Sequence, residues 1–170
     1  MSDYLAYIKV PVYEREWVEH HFGRPAVFPP QSNINSVIRS FLRLRPADAR
    51  PEQKEDGDLA VSLPDSQSKR VTSYNYLTKA GRRAIAEAID DLFVIAIYEY
   101  MTDPGVRNTQ ITILVQDWMQ SNGISFDQEH NLRMKFYRIR DSYRSHGVNI
   151  SRGYKHGERI KKKCKKKAVF

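Results

Sequence analysis

The chain has 170 residues, 41% of them apolar, with 28 Lys+Arg against 20 Asp+Glu and a net charge of +8 at neutral pH. That length suits one packed domain, or a small domain with a tail. No apolar run approaches the roughly 20 residues of a transmembrane helix, the opening Met-Ser-Asp-Tyr lacks the regions of a signal peptide, and a single cysteine excludes an internal disulfide, so a cytoplasmic protein without membrane contact is expected.

Tyr4 to Val12 alternates, with Tyr4, Ala6, Ile8, Val10 and Val12 on one side, and predicts a strand. Pro11 places it at a sheet edge or ends it, because proline cannot donate to a ladder. Tyr13 to Phe22 predicts a helix of two to three turns ended by Gly23. Its adjacent His20 and His21 diverge by about 100° on a helix, with no third ligand at metal spacing, and read as a surface pair.

Gly23 to Pro30 is loop by composition. The segment after Ser32 fits two periods: Ile34, Val37, Ile38, Phe41 and Leu42 match a helix capped by Ser32 or Asn33, while Ile34 to Leu44 also alternates. The helix is the preferred reading. Arg45 to Asp58, with its breakers and mixed charge, reads as a solvated loop. Leu59, Val61 and Leu63 give a second strand up to Pro64, and Val71, Tyr74 and Tyr76 give a third candidate over Arg70 to Leu77. Ser66 and Lys69 match the S-x-x-K of Ser-Lys hydrolases but lack the partner motifs.

Thr78 caps the longest apolar element, a helix to about Met101 whose face is Ala84, Ile85, Ala88, Ile89, Leu92, Phe93, Ala96 and Ile97. Phe93 to Tyr98 is apolar nearly all round, which suits the centre of a domain. A further helix over about 109–121 carries Ile111, Leu114, Val115, Trp118 and Met119 in one stripe, with Asn108 or Thr109 as cap and Gly123 at the left-handed stop position. Ser125 and Gln128 fit a capping box, with Asp127 as a competing cap, and open a last helix over about 126–145.

That last helix has three faces. Leu132, Phe136, Ile139 and Tyr143 form its core stripe; Arg133, Tyr137, Arg140 and Arg144 lie about 100° round; Lys135 and Arg138 lie on the other flank. After Gly147 periodicity is lost, and Ser151 to Lys167 holds nine Lys+Arg, among them Arg152, Lys155, Arg159, Lys161, Lys162 and Lys163. A flexible basic tail over 147–170 is expected, ordered only by an anion. Cys164, among six lysines, is expected to be an exposed thiol without a catalytic role.

The net charge is therefore localised. Residues 133–167 contain 14 Lys+Arg against Asp141 and Glu158, a net of +12, which leaves −4 on residues 1–132. A local excess of this kind is the electrostatic footprint expected for a polyanion. There is no Walker A loop, dinucleotide-binding glycine fingerprint, zinc signature or placed nucleophile and base, so no enzyme activity, cofactor or metal is expected.

The closing helix pair resembles the helix-turn-helix class of DNA-binding proteins, with Gly123 in the turn and the helix of Arg133, Tyr137, Arg140 and Arg144 in the reading position. Tyr74-Asn75-Tyr76-Leu77, then Gly81-Arg82-Arg83-Ala84 and the helix to Tyr100, is similar to a segment of small uncharacterised proteins of Bacteroidetes chromosomes and mobile elements. The second resemblance implies a bacterial cytoplasmic protein and removes a nuclear-import reading of Lys161 to Lys167.

The expected fold is α+β and mainly helical: an N-terminal part with small β elements over 1–77, then a three-helix bundle over 78–146 that forms the DNA-binding part. The expected function is nucleic-acid binding without catalysis, DNA before RNA. Its alternative is a protein-interaction or structural module whose basic tail contacts an acidic partner. The helix-turn-helix likeness implies a homodimer on paired half-sites, for which no heptad or exposed apolar patch is visible.

Overall fold

Alternation near the N-terminus produces a strand shorter than expected. In the computed structural model, which describes residues 4–49, 53, 55, 57–106 and 109–147, β1 spans Leu5–Ile8 and buries Ala6 and Ile8. Val10 and Val12 do not extend it. Pro11 occupies the cap position of helix α1 (Val12–Phe22), so the chain turns helical where the alternation would have continued. Strand β2 (Leu59–Ser62) pairs antiparallel with β1, with Leu5 opposite Ser62 and Ile8 opposite Leu59.

The two-period segment after Ser32 is helix α2 (Asn33–Phe41), and the Ser32 side chain accepts the Asn35 N–H at 3.1 Å. The cap decides between the two periods by satisfying a first-turn donor that a strand would not present. Arg70 to Leu77, expected as a third strand, is instead a turn followed by one isolated bridge between Tyr76 and Arg43. Side chains account for the difference: buried Asn75 donates to Val71 O and Thr72 O, and Asp65 accepts the Val71 N–H. These bonds close the backbone into tight turns in place of a ladder.

The Ser66 and Lys69 coincidence has a structural meaning. Ser66 Oγ accepts the Lys69 N–H, while Lys69 Nζ donates to the carbonyls of Arg39 and Leu42 at the end of α2. An ammonium on helix-terminal carbonyls is a favourable C-terminal partner.

Helix α3 (Lys79–Thr102) starts at Thr78, whose Oγ1 accepts the Gly81 N–H at 3.2 Å. Gly81 lets α2 approach closely, because a Cβ there would lie 3.0 Å from the Phe41 Cβ. Ile85, Ile89, Phe93 and Ile97 are fully buried, whereas Ile95 is half exposed. The run that looked apolar all round therefore keeps one side at the surface.

Helix α4 (Ile111–Ser121) begins after Gln110, without a side-chain cap, so Thr109 does not cap it and Asn108 lies outside the described residues. Its end is as expected. Gly123 has φ +66°, the Ile124 N–H returns to Met119 O, and Ile124 is buried behind it. Residues Phe126–Gln128 form a 3₁₀ turn, and helix α5 runs from Glu129 to Ser145.

The fold is α+β and mainly helical, with one hydrophobic core running from Ala6 in β1 to Ile139 in α5. Edge-on aromatic contacts link four helices through it: Trp17 on Phe93, Phe93 on Trp118, and Trp118 on Phe136, at centroid distances of 5.5, 5.3 and 5.8 Å. The expected three-helix bundle of α3, α4 and α5 thus acquires α1 as a fourth member. Lys135 meets Asp90 and Tyr143 stacks on Tyr98, each pair 45 residues apart, so α5 runs parallel to α3. No helix among the described residues is long and apolar enough to cross a membrane.

Candidate nucleic-acid interface

Helix α5 presents its cations because its apolar residues fix its rotation. Leu132, Phe136 and Ile139 are buried and Tyr143 is half-buried against Tyr98, which turns the two cationic flanks to either side of the contact with α3 and α4. The expected faces are all present. Their charges are used differently.

On one flank Lys135 points inward. Its ammonium pairs with Asp90 of α3, its side chain is only 16% exposed, and Glu14 of α1 is part of the same cluster. Burial of Glu14, together with a hydrogen bond to Asp90 and the Asp90 charge, pushes its carboxyl up to about 8, while Lys135 opposes the shift. An ammonium held this way is withdrawn from any phosphate. Arg138, on the same flank, is exposed, and no ion pair is found for it among the described residues.

On the other flank two of the three arginines already have anions. Arg133 lies 3.7 Å from Glu129 one turn earlier, and Glu129 also accepts from Gln116 of α4. Arg140 donates through Nε and Nη2 to Asp141 and sits over the Tyr137 ring at 4.8 Å. These are local surface pairs, worth about 0–1 kcal/mol, and a phosphate could displace the carboxylate in either. Arg144 is exposed in the last turn, where a cation also complements the helix C-terminus.

The predicted contacts thus separate into outward Arg138 and Arg144, self-paired Arg133 and Arg140 with Tyr137 beneath, and inward Lys135. Arg152, Lys155, Arg159, Lys161, Lys162 and Lys163 lie outside the described residues. So do the expected flexible tail and Cys164. Among the described residues no three His, Cys, Asp or Glu side chains form a metal-binding group; His20 and His21 are exposed, and His21 bonds to Trp17 O.

The turn between α4 and α5 is where the sequence reading missed most. Neither Ser125 nor Asp127 caps α5 through its side chain. The Ser125 N–H instead donates to Glu16 Oε2 of α1 at 2.9 Å, a partner 109 residues away. Two further contacts fasten α1 over this turn: the Trp17 indole N–H donates to Asn122 Oδ1 at 3.2 Å, and His20 lies so near that a Cβ on Gly123 would meet its Nδ1 at 2.6 Å. Glu16, Asp127 and Glu129 make the start of α5 anionic, and its cations begin one turn later. Glu14 and Glu16 on a charged helix gave no sequence signal of these roles, because both partners are remote.

Compared with known protein families, curated proteins and solved structures, the chain has no match.

Proposed function

We propose that the protein binds nucleic acid without catalysis, with duplex DNA ahead of RNA, through the later turns of α5 and the basic segment that follows it. The observation that carries this reading is the +12 net charge of residues 133–167, with Arg138 and Arg144 outward on the helix that leads into it. Lysine and arginine near phosphates release condensed counterions, so affinity follows the number of contacts and falls with salt. Outward arginines and a run of lysines suit phosphate contacts, which position a protein on a duplex but carry no sequence information.

In helix-turn-helix proteins the first residues of the second helix enter the major groove. Here that end bears Glu16, Asp127 and Glu129, which would face phosphates with like charge. The proposed contact is therefore the side of α5 from Arg133 onward, lying along the backbone. Arg133 and Arg140 would join it by exchanging a carboxylate for a phosphate, and Tyr137 would meet sugar.

Titration of random duplex DNA with the full chain at several salt concentrations tests the reading. Engaging about six phosphates gives a log–log slope near −5. An affinity that does not change with salt, or no binding at low salt, would remove nucleic acid and leave the interaction-module reading, in which the basic segment meets an acidic protein.

A further inference from the structure

Glu14 in α1 is 2% exposed. Among the described residues no backbone, hydroxyl, amide or cationic group donates to its carboxyl, and it belongs to no ion pair. A buried carboxyl that accepts no hydrogen bond is an exception among native side chains, because it has given up water for nothing. The place from which a donor can reach it is a cleft of about 350 Å3, which it borders between the start of α1 and the first half of α3.

The wall of this cleft is acidic in excess. Glu87, Asp90 and Asp91 of α3 join Glu14 around it, against Arg83 as the lining cation. Two of the four carboxylates are already answered: Glu87 holds Arg83 at 2.8 Å, and Asp90 meets Lys135 of α5. Asp91 is exposed and, like Glu14, has no ion pair among the described residues. No three of the four converge as a metal ion would require. Val10, Pro11 and Ala86 supply the apolar part of the wall. Two unanswered carboxylates on different helices, with apolar surface beside them, match an elongated cation with an ammonium at each end and methylenes between.

We propose that this cleft binds a linear alkyl diamine, one ammonium donating to Glu14 and the other to Asp91. An ammonium has three donors and no acceptor, so it gives Glu14 the hydrogen bonds that the chain does not. The volume lies at the lower end of the range of about 300–1,000 Å3 found for ligand pockets, which suits a small ligand. The site is built by α1 and α3 and is independent of what α5 binds.

Butane-1,4-diamine titrated calorimetrically into the full chain tests the site. At about pH 8.5 alkyl ammonium groups keep their protons, while the Glu14 carboxyl, pushed up to about 8 by burial and Asp90, has largely lost its own. The net charge of +8 disfavours cations at large, so saturation at one equivalent marks a built cleft. Glu14→Gln is expected to weaken binding about tenfold or more, because a buried charge-assisted hydrogen bond is lost. Asp91→Asn weakens it about threefold, as the loss of an exposed partner. Asp127→Asn, which removes an acid outside the cleft, keeps the parent affinity. Nα-acetyl-lysine N-methylamide, which offers the single ammonium of a protein's lysine, binds about threefold or more weakly than the diamine. If Glu14→Gln does not fold, Asp91→Asn and the single-ammonium probe decide. No saturable binding to the parent, an affinity unchanged in the cleft variants that fold, or an equal loss in Asp127→Asn would overturn the site. Equal binding of the lysine derivative would overturn the diamine and assign the cleft to a partner's lysine.

Discussion

Lys135 and Arg140, five residues apart on one helix, meet opposite fates. Lys135 reaches inward to an aspartate on another helix, and its charge acts on a buried glutamate of a third. Arg140 folds onto the aspartate next to it and the tyrosine one turn back, at the surface. The first arrangement joins two helices; the second joins neighbours that the helix already holds together. What a cation contributes depends on how far along the chain its partner lies and how much water is excluded, and neither is visible in a count of charges.

The difference is sharpest against pH. An ordinary glutamate in the unfolded chain titrates near 4.5, whereas Glu14 in the folded protein holds its proton to about 8. Between those values the folded state binds more protons than the unfolded one, so stability falls as pH rises from 4.5 to 8 and levels above. The loss is at most about 5 kcal/mol, read as a falling urea midpoint that flattens in Glu14→Gln. A stability that rose with pH across this window would break the comparison.

Removing the inward cation ranks next. Lys135→Ala leaves Asp90 and Glu14 without their ammonium, and because Asp90 is 42% exposed the cost is below that of a fully buried pair, about 2 kcal/mol at pH 7. Urea unfolding should show a lower midpoint with an unchanged slope, and the salt slope of DNA binding should stay that of the parent. Gly123→Ala comes third, at about 1 kcal/mol, because φ +66° is strained for alanine and the added Cβ displaces His20. Arg133→Ala is smallest, under about 0.5 kcal/mol of stability, since it breaks one half-buried surface pair at the long distance of 3.7 Å.

The helices were legible because period and punctuation agreed. Thr78 and Ser32 stand where first-turn donors need acceptors, Gly123 stands where φ is positive, and the intervening apolar residues repeat at 3.6. The strands were less so: Tyr4 to Val12 alternates beyond Ile8, yet Pro11 starts a helix, and Arg70 to Leu77 carries the strand-forming Val71, Tyr74 and Tyr76 while Asn75 and Asp65 fold it into turns. Period alone does not say whether a ladder partner exists. The capping box at Ser125 failed because a carboxylate from α1 took the donor first. In the candidate site the division of α5 into a core stripe and two cationic flanks was legible; which cations face outward was not, because Asp90 and Glu14 are far away in sequence.

The central claim is that outward Arg138 and Arg144, and not inward Lys135, take part in binding. Random duplex DNA titrated from 50 to 200 mM salt with the parent, with an Arg138→Ala, Arg144→Ala double variant and with Lys135→Ala tests it directly. Two lost phosphate contacts predict a log–log slope shallower by about 2 in the double variant, with the Lys135→Ala slope unchanged. A double variant that keeps the parent slope, or a Lys135→Ala slope that falls as far, would contradict it.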